Sequence, residues 1–154
     1  MNVRSGNYNL RKTNTWKLFN QRNMKMNVLT LKPKKFIRCG AHLPVKDLRK
    51  TLDYYKIRLG FTDEWTVGEK DGGVIRDDMR LIFAENPALV EDMNTKAHRL
   101  PLIWFVDNIE KVYEEFQNRH IEFSDHLRTH SYGLREFAFI DINGYYIRVA
   151  ETDK

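Results

Sequence analysis

The chain of 154 residues has the length of one domain, and its 42% hydrophobic and 31% charged residues are the proportions of an ordinary globular protein. No run approaches the roughly 20 apolar residues of a membrane helix, no signal-peptide core is visible, and the lone Cys39 excludes a disulfide framework or a thiolate metal cluster. The net charge of +5 is unevenly spread: residues 1–35 hold nine Lys and Arg and no Asp or Glu, leaving 17 basic against 21 acidic residues in 36–154. The folded part is therefore mildly acidic, and the expected setting is the cytoplasm, with a reduced thiol.

Residues 1–34 form a basic extension without sustained period, broken only by the apolar knot Trp16, Leu18 and Phe19. Three readings stand open: a basic arm that touches nucleic acid or anionic lipid, an acid-poor transit segment, or an extension without function. The acidity of the remainder argues against nucleic acid as the main partner.

From Phe36 the pattern sharpens into a single domain, 35–154. Phe36–Leu43 reads as a strand ended by Pro44. Asp47 is a helix N-cap, Leu48, Leu52, Tyr55 and Leu59 make one helix face, and Gly60 closes it. Strands follow at Phe61–Val67, Gly73–Arg76 and Arg80–Ala84, with turns expected at Gly68, Asp71-Gly72-Gly73 and Asp77-Asp78. A polar connector runs from Pro87 to Arg99.

The order then repeats. Leu100–Val106 is a strand, Asp107 or Asn108 a cap, and Ile109, Val112, Tyr113 and Phe116 a helix face. Ile121–Phe123, Arg135–Ile140 and Tyr145–Ala150 read as strands, with a hairpin turn at Asn143-Gly144. A shift of 61 residues lays Val45, Lys50 and Arg58 on Val106, Lys111 and Arg119. The reading is an α+β fold of two tandem βαβββ modules, about 36–86 and 99–152.

The run His42-Leu43-Pro44-Val45-Lys46-Asp47-Leu48, with Tyr54-Tyr55 and Leu59-Gly60-Phe61, resembles the opening of vicinal-oxygen-chelate proteins, the superfamily of glyoxalase I, extradiol dioxygenases and bleomycin-resistance proteins. Val74–Asp78 with Leu81-Ile82-Phe83, Trp104–Ile109, Tyr132–Phe137, and Asp141, Asn143-Gly144 and Glu151 resemble the bleomycin-resistance branch in particular. The resemblance implies an open, curved mixed sheet and a homodimer with clefts between subunits.

It also implies metal positions, on which this chain departs from the enzymes. Gly40 and Pro101 stand where two ligands belong, and neither has a donor side chain; Glu151 matches a third. A displaced divalent-metal site of His42, His98 and Glu151 is the alternative, and would imply a glyoxalase-like lyase, isomerase or dioxygenase. His120, His126 and His130 read as surface histidines.

Without a metal, the resemblance implies binding rather than catalysis: a cationic, planar antibiotic such as bleomycin, stacked on aromatic rings and held by acidic groups. Trp65, four residues after Phe61, and Tyr132 stand where that branch places ligand-contacting aromatics. The candidate ligand set is Trp65, Tyr132, Phe61, Trp104, Glu136 and Asp71. Glu136 shares a strand face with Ala138 and needs a partner if buried, for which Arg76 and Arg148 are candidates.

Overall fold

The structure, a computed structural model, describes residues 40–152; the basic extension and positions 36–39 of the first predicted strand lie outside the described residues. Module 1 runs β1 (His42–Val45), α1 (Leu48–Leu59), β2 (Asp63–Val67), β3 (Asp71–Arg76) and β4 (Met79–Glu85). A short helix α2 (Pro87–Met93) leads to module 2: β5 (Pro101–Val106), α3 (Ile109–Asn118), β6 (Phe123–Thr129), β7 (Arg135–Ile140) and β8 (Tyr146–Glu151). Each module forms a four-stranded mixed sheet, of order β1-β4-β3-β2 and β5-β8-β7-β6, with the first strand parallel to the last.

The helices begin and end where local chemistry dictates. Asp47 accepts the Lys50 amide, Gly60 adopts φ +72° and donates back to Tyr55, and Asn108 caps α3 through Lys111. Asn86 does the same for α2 through Leu89, with Pro87 at the first helical position. The cap-and-proline signal at 86–87 is therefore a helix start, in a segment expected to be connector.

Three further boundaries differ from expectation. Pro44 lies inside β1 and pairs with Ala84, which is tolerated because β1 is an edge strand. Asp71 and Gly72 are not a turn but lie inside β3 ahead of Gly73, so that the turn expected at Gly68, running to Lys70, alone reverses the chain. A Cβ at Gly72 would sit 2.6 Å from the Trp65 carbonyl oxygen, and one at Gly73 would collide with the Leu81 carbonyl and the Trp65 ring. These glycines serve close packing within the sheet. Finally, β6 extends to Thr129, well past Phe123; its register with β7 shifts twice, and such bulges blur alternation in sequence.

The duplication is visible in space and drifts along the chain. Ile109 follows Leu48 by 61 residues, whereas Tyr146 follows Met79 by 67, because the β6–β7 hairpin is longer. One core joins the modules: Tyr55, Phe61, Phe83, Trp104, Phe116, Phe137 and Phe139 are buried within it, many in edge-to-face contact.

A polar seam fastens the same junction. Asp141, 5% exposed, accepts from Tyr55 Oη at 2.9 Å and from the amides of Asn143 and Tyr145. Burial pushes its carboxyl up, against the pull of those donors. Asn143 accepts the Lys46 amide and donates to Thr51, and Tyr145 Oη donates to the Pro44 carbonyl at 2.7 Å. The Asn143-Gly144 turn thus joins the two halves as well as reversing the chain, with Gly144 at φ +89°.

Candidate functional site

Alternation along the strands gives each sheet a core face and an open face. In sheet 1, Leu43, Val74, Leu81 and Phe83 point to the core. The open face carries the row Trp65, Gly73, Ile82 and His42 across four strands, and beside it Val67, Asp71, Ala84 and Pro44. Trp65 leans over the bare backbone of Gly73, and the Arg80 guanidinium lies 4.7 Å from its ring centroid. The indole N–H is buried and has no acceptor among the described residues. His42 Nε2 and Asp71 meet at 3.3 Å, both about half exposed.

The open face of sheet 2 carries the rows Ile103, Arg148, Ala138, Asp125 and Phe105, Ala150, Glu136, Arg128. Glu136 is 4% exposed and sits in a cage of donors. Arg148 reaches it through Nη2 at 2.6 Å and Nε at 3.1 Å, and Tyr132 donates its hydroxyl at 2.5 Å. Burial raises this carboxyl, but the Arg148 and Tyr132 hydrogen bonds together outweigh it and hold Glu136 below the usual carboxylate range. The Tyr132 phenol is raised chiefly by its bond to Glu136.

His130 completes this network, although the sequence suggests only a surface histidine. Its ring stacks on Tyr132 with centroids 5.0 Å apart and planes 17° apart. Its Nε2 lies 3.4 Å from Asp125 and 3.5 Å from Glu136. Asp125 in turn is held low mainly by Arg128. The signal that could have exposed the cluster is the run from Asp125 to Glu136, but the register shifts of β6 hide which side chains share a face.

The candidate ligand residues therefore divide into three groups. Trp65 and Asp71 stand on the open face of sheet 1, Tyr132 and Glu136 on that of sheet 2. Phe61 and Trp104, 3% and 7% exposed, pack on each other in the core between the modules and stand off both open faces. There they form part of the wall of a cavity of about 440 Å³.

The metal positions do not assemble. Glu151 pairs with Val106 and alternates onto the core side with Val149, so Arg148 rather than Glu151 projects from β8 to the open face. His42 is engaged by Asp71, and His98 lies in the connector before β5. Among the described residues, no group of three or more His, Cys, Asp or Glu is placed to hold a metal ion. With Gly40 and Pro101 lacking donor atoms, the residues present do not fit the metal of the enzymes.

Two βαβββ sheets, each with one open face and with their core faces joined, define a vicinal-oxygen-chelate fold. The chain belongs to the Glyoxalase/Bleomycin resistance protein/Dioxygenase superfamily, whose model matches residues 36–149. Among solved structures, a bleomycin resistance determinant encoded on the transposon Tn5 is similar at TM-score 0.65 and 20% identity, covering 77% of this chain and 100% of that one. The bleomycin-binding protein of Streptomyces verticillus, complexed with copper(II)-bleomycin, is similar at 0.60 and 20%, covering 77% and 98%. A lactoylglutathione lyase from Agrobacterium tumefaciens is similar at 0.58 and 12%, covering 77% and 95%. No curated protein matches the chain. No helix among the described residues is long and apolar enough to cross a membrane.

Proposed function

We propose that this protein is a metal-independent small-molecule binder of the bleomycin-resistance type, which sequesters a cationic, planar ligand on its open sheet faces. The observation that carries the reading is Trp65, whose ring already holds the planar Arg80 cation at 4.7 Å. A ligand that displaces Arg80 takes over a contact the ring already makes. Tyr132, 59% exposed and backed by His130, offers a second platform.

Ile103, Phe105 and Ile140 leave apolar surface uncovered on sheet 2. A second copy of the chain is the expected cover, so that the face of sheet 1 in one subunit meets that of sheet 2 in the other. The absence of donors at Gly40 and Pro101 supports binding without a metal, and with it a binder in place of a lyase or dioxygenase.

Isothermal titration with metal-free bleomycin, with mass measured by light scattering, tests both parts. A dimer that takes up the drug, with Trp65→Ala and Tyr132→Ala each weakening it about fivefold or more, is the expected result. A monomer, or a chain giving no heat with bleomycin-class drugs, overturns the reading.

A further inference from the structure

The cavity between the modules lies away from the open face of sheet 1 and meets that of sheet 2 only at Phe105, and its wall has a chemistry of its own. Its inner surface is apolar and largely aromatic, made by Phe61, Met79, Trp104 and Phe116, with Leu59 at the end of α1. Three carboxylates, Asp77, Asp78 and Asp107, line it with them, all in exposed residues. Among the described residues the one cationic side chain in the lining, Arg76, is already engaged: it binds Glu115 at 2.6 Å and the Leu59 carbonyl at 2.5 Å, and its Nε lies 3.9 Å from Asp77. What remains for a ligand is an oily interior with negative charge in excess.

The β3–β4 turn places two of those carboxylates there at a local cost. Asp77 adopts φ +51°, a left-handed conformation that glycine or asparagine takes more easily, and it stands beside a second aspartate. The adjoining end of α1 is also the negative end of its dipole. Shape and charge therefore point the same way. A body of indole size fits a space of about 440 Å³, within the range of small-molecule pockets.

We propose that this intermodule cavity is a second binding site, which takes a small amphipathic cation: an aromatic or apolar body inserted among Phe61, Met79, Trp104 and Phe116, with an ammonium or amidinium group at Asp77, Asp78 and Asp107. Of the residues on the open faces, only Phe105 also lines it. A ligand bound here touches both modules, and so stabilises their junction as well.

Tryptamine is the probe, titrated into the full-length protein by calorimetry beside its anionic counterpart indole-3-propionate. One tryptamine per chain binds, at least about tenfold tighter than the anion. Asp77→Asn/Asp78→Asn, a change on an exposed turn, weakens tryptamine about three- to tenfold. Met79→Trp fills the space and abolishes binding, while Trp65→Ala, on the open face of sheet 1, leaves it within about twofold. Should Met79→Trp fail to fold, the double asparagine variant decides. No binding of tryptamine, equal affinity for the two probes, or indifference to the loss of Asp77 and Asp78 overturns the proposal. Loss of binding in Trp65→Ala also overturns it, by placing the ligand on the open face instead.

Discussion

The two open faces share one scaffold and have opposite electrostatic characters. On sheet 1 the charged groups stand nearer water: His42 and Asp71 are each about half exposed, and Arg80, in an exposed residue, lies over the Trp65 ring. On sheet 2 the charges are drawn into the protein, with Glu136 almost fully buried under Arg148, Tyr132 and His130. Duplication explains why both faces exist, and says nothing about what they carry. The difference makes sheet 1 an adaptable platform and sheet 2 a rigid one, because a buried carboxylate tolerates no loss of partners whereas an exposed pair exchanges them for water.

Removing Arg148 tests that contrast most severely. Arg148→Met leaves Glu136 buried beside only Tyr132 and His130, and is expected to cost about 3 kcal/mol in urea unfolding. A loss below about 1 kcal/mol would place the two faces in the same class. Next comes the backbone beneath Trp65: Gly73→Ala drives a methyl into the Leu81 carbonyl and the indole, costing about 2 kcal/mol. The indole must shift with it, which a change in the tryptophan emission maximum reports.

Acid separates the faces further. Glu136 is held below its ordinary 4.5, so its contribution is present above that pH and lost as pH falls through the depressed folded value. Wild-type stability should therefore fall more steeply below about pH 4 than that of Glu136→Gln, which has no carboxyl to protonate there. Parallel curves would show that the cage does not favour the ionised form. The smallest effect is expected on sheet 1, where His42→Ala removes only a half-exposed pair and changes stability by less than about 0.5 kcal/mol.

Sequence pattern carried the repeating scaffold because it rests on local rules. Asp47, Gly60 and Asn108 cap helices through contacts within four or five residues, and the face Leu48, Leu52, Tyr55 and Leu59 follows from helical period alone. Arg135–Ile140 is likewise a strand with the bounds expected of it. The misplaced strand limits have their cause in the pairing of adjacent strands. Gly72 and Gly73 have the composition of a turn, yet the Trp65 backbone and ring, and the Leu81 carbonyl, keep them inside a strand.

The candidate site was legible in its parts and not in its grouping. Trp65 and Tyr132 do stand on open faces, and Arg148 is the partner that a buried Glu136 needed, whereas Arg76 went to Glu115. Phe61 and Trp104 have the same aromatic chemistry, but the joining of the two core faces takes them into the interior. His130 gains its role only when β6 bulges against β7 and brings Asp125 and Glu136 to either side of it.

By itself, then, the sequence determined the duplicated βαβββ order, the limits of α1, the start of α3 and the lack of donor atoms at Gly40 and Pro101, since these depend on residue type and short-range spacing. Tertiary structure alone decided which side of each sheet faces the core, that Arg148 rather than Glu151 projects from the last strand, and that an acid-rimmed cavity lies between the modules. A strand's side chains alternate with period two, and only pairing across the sheet reveals which half of them is left open.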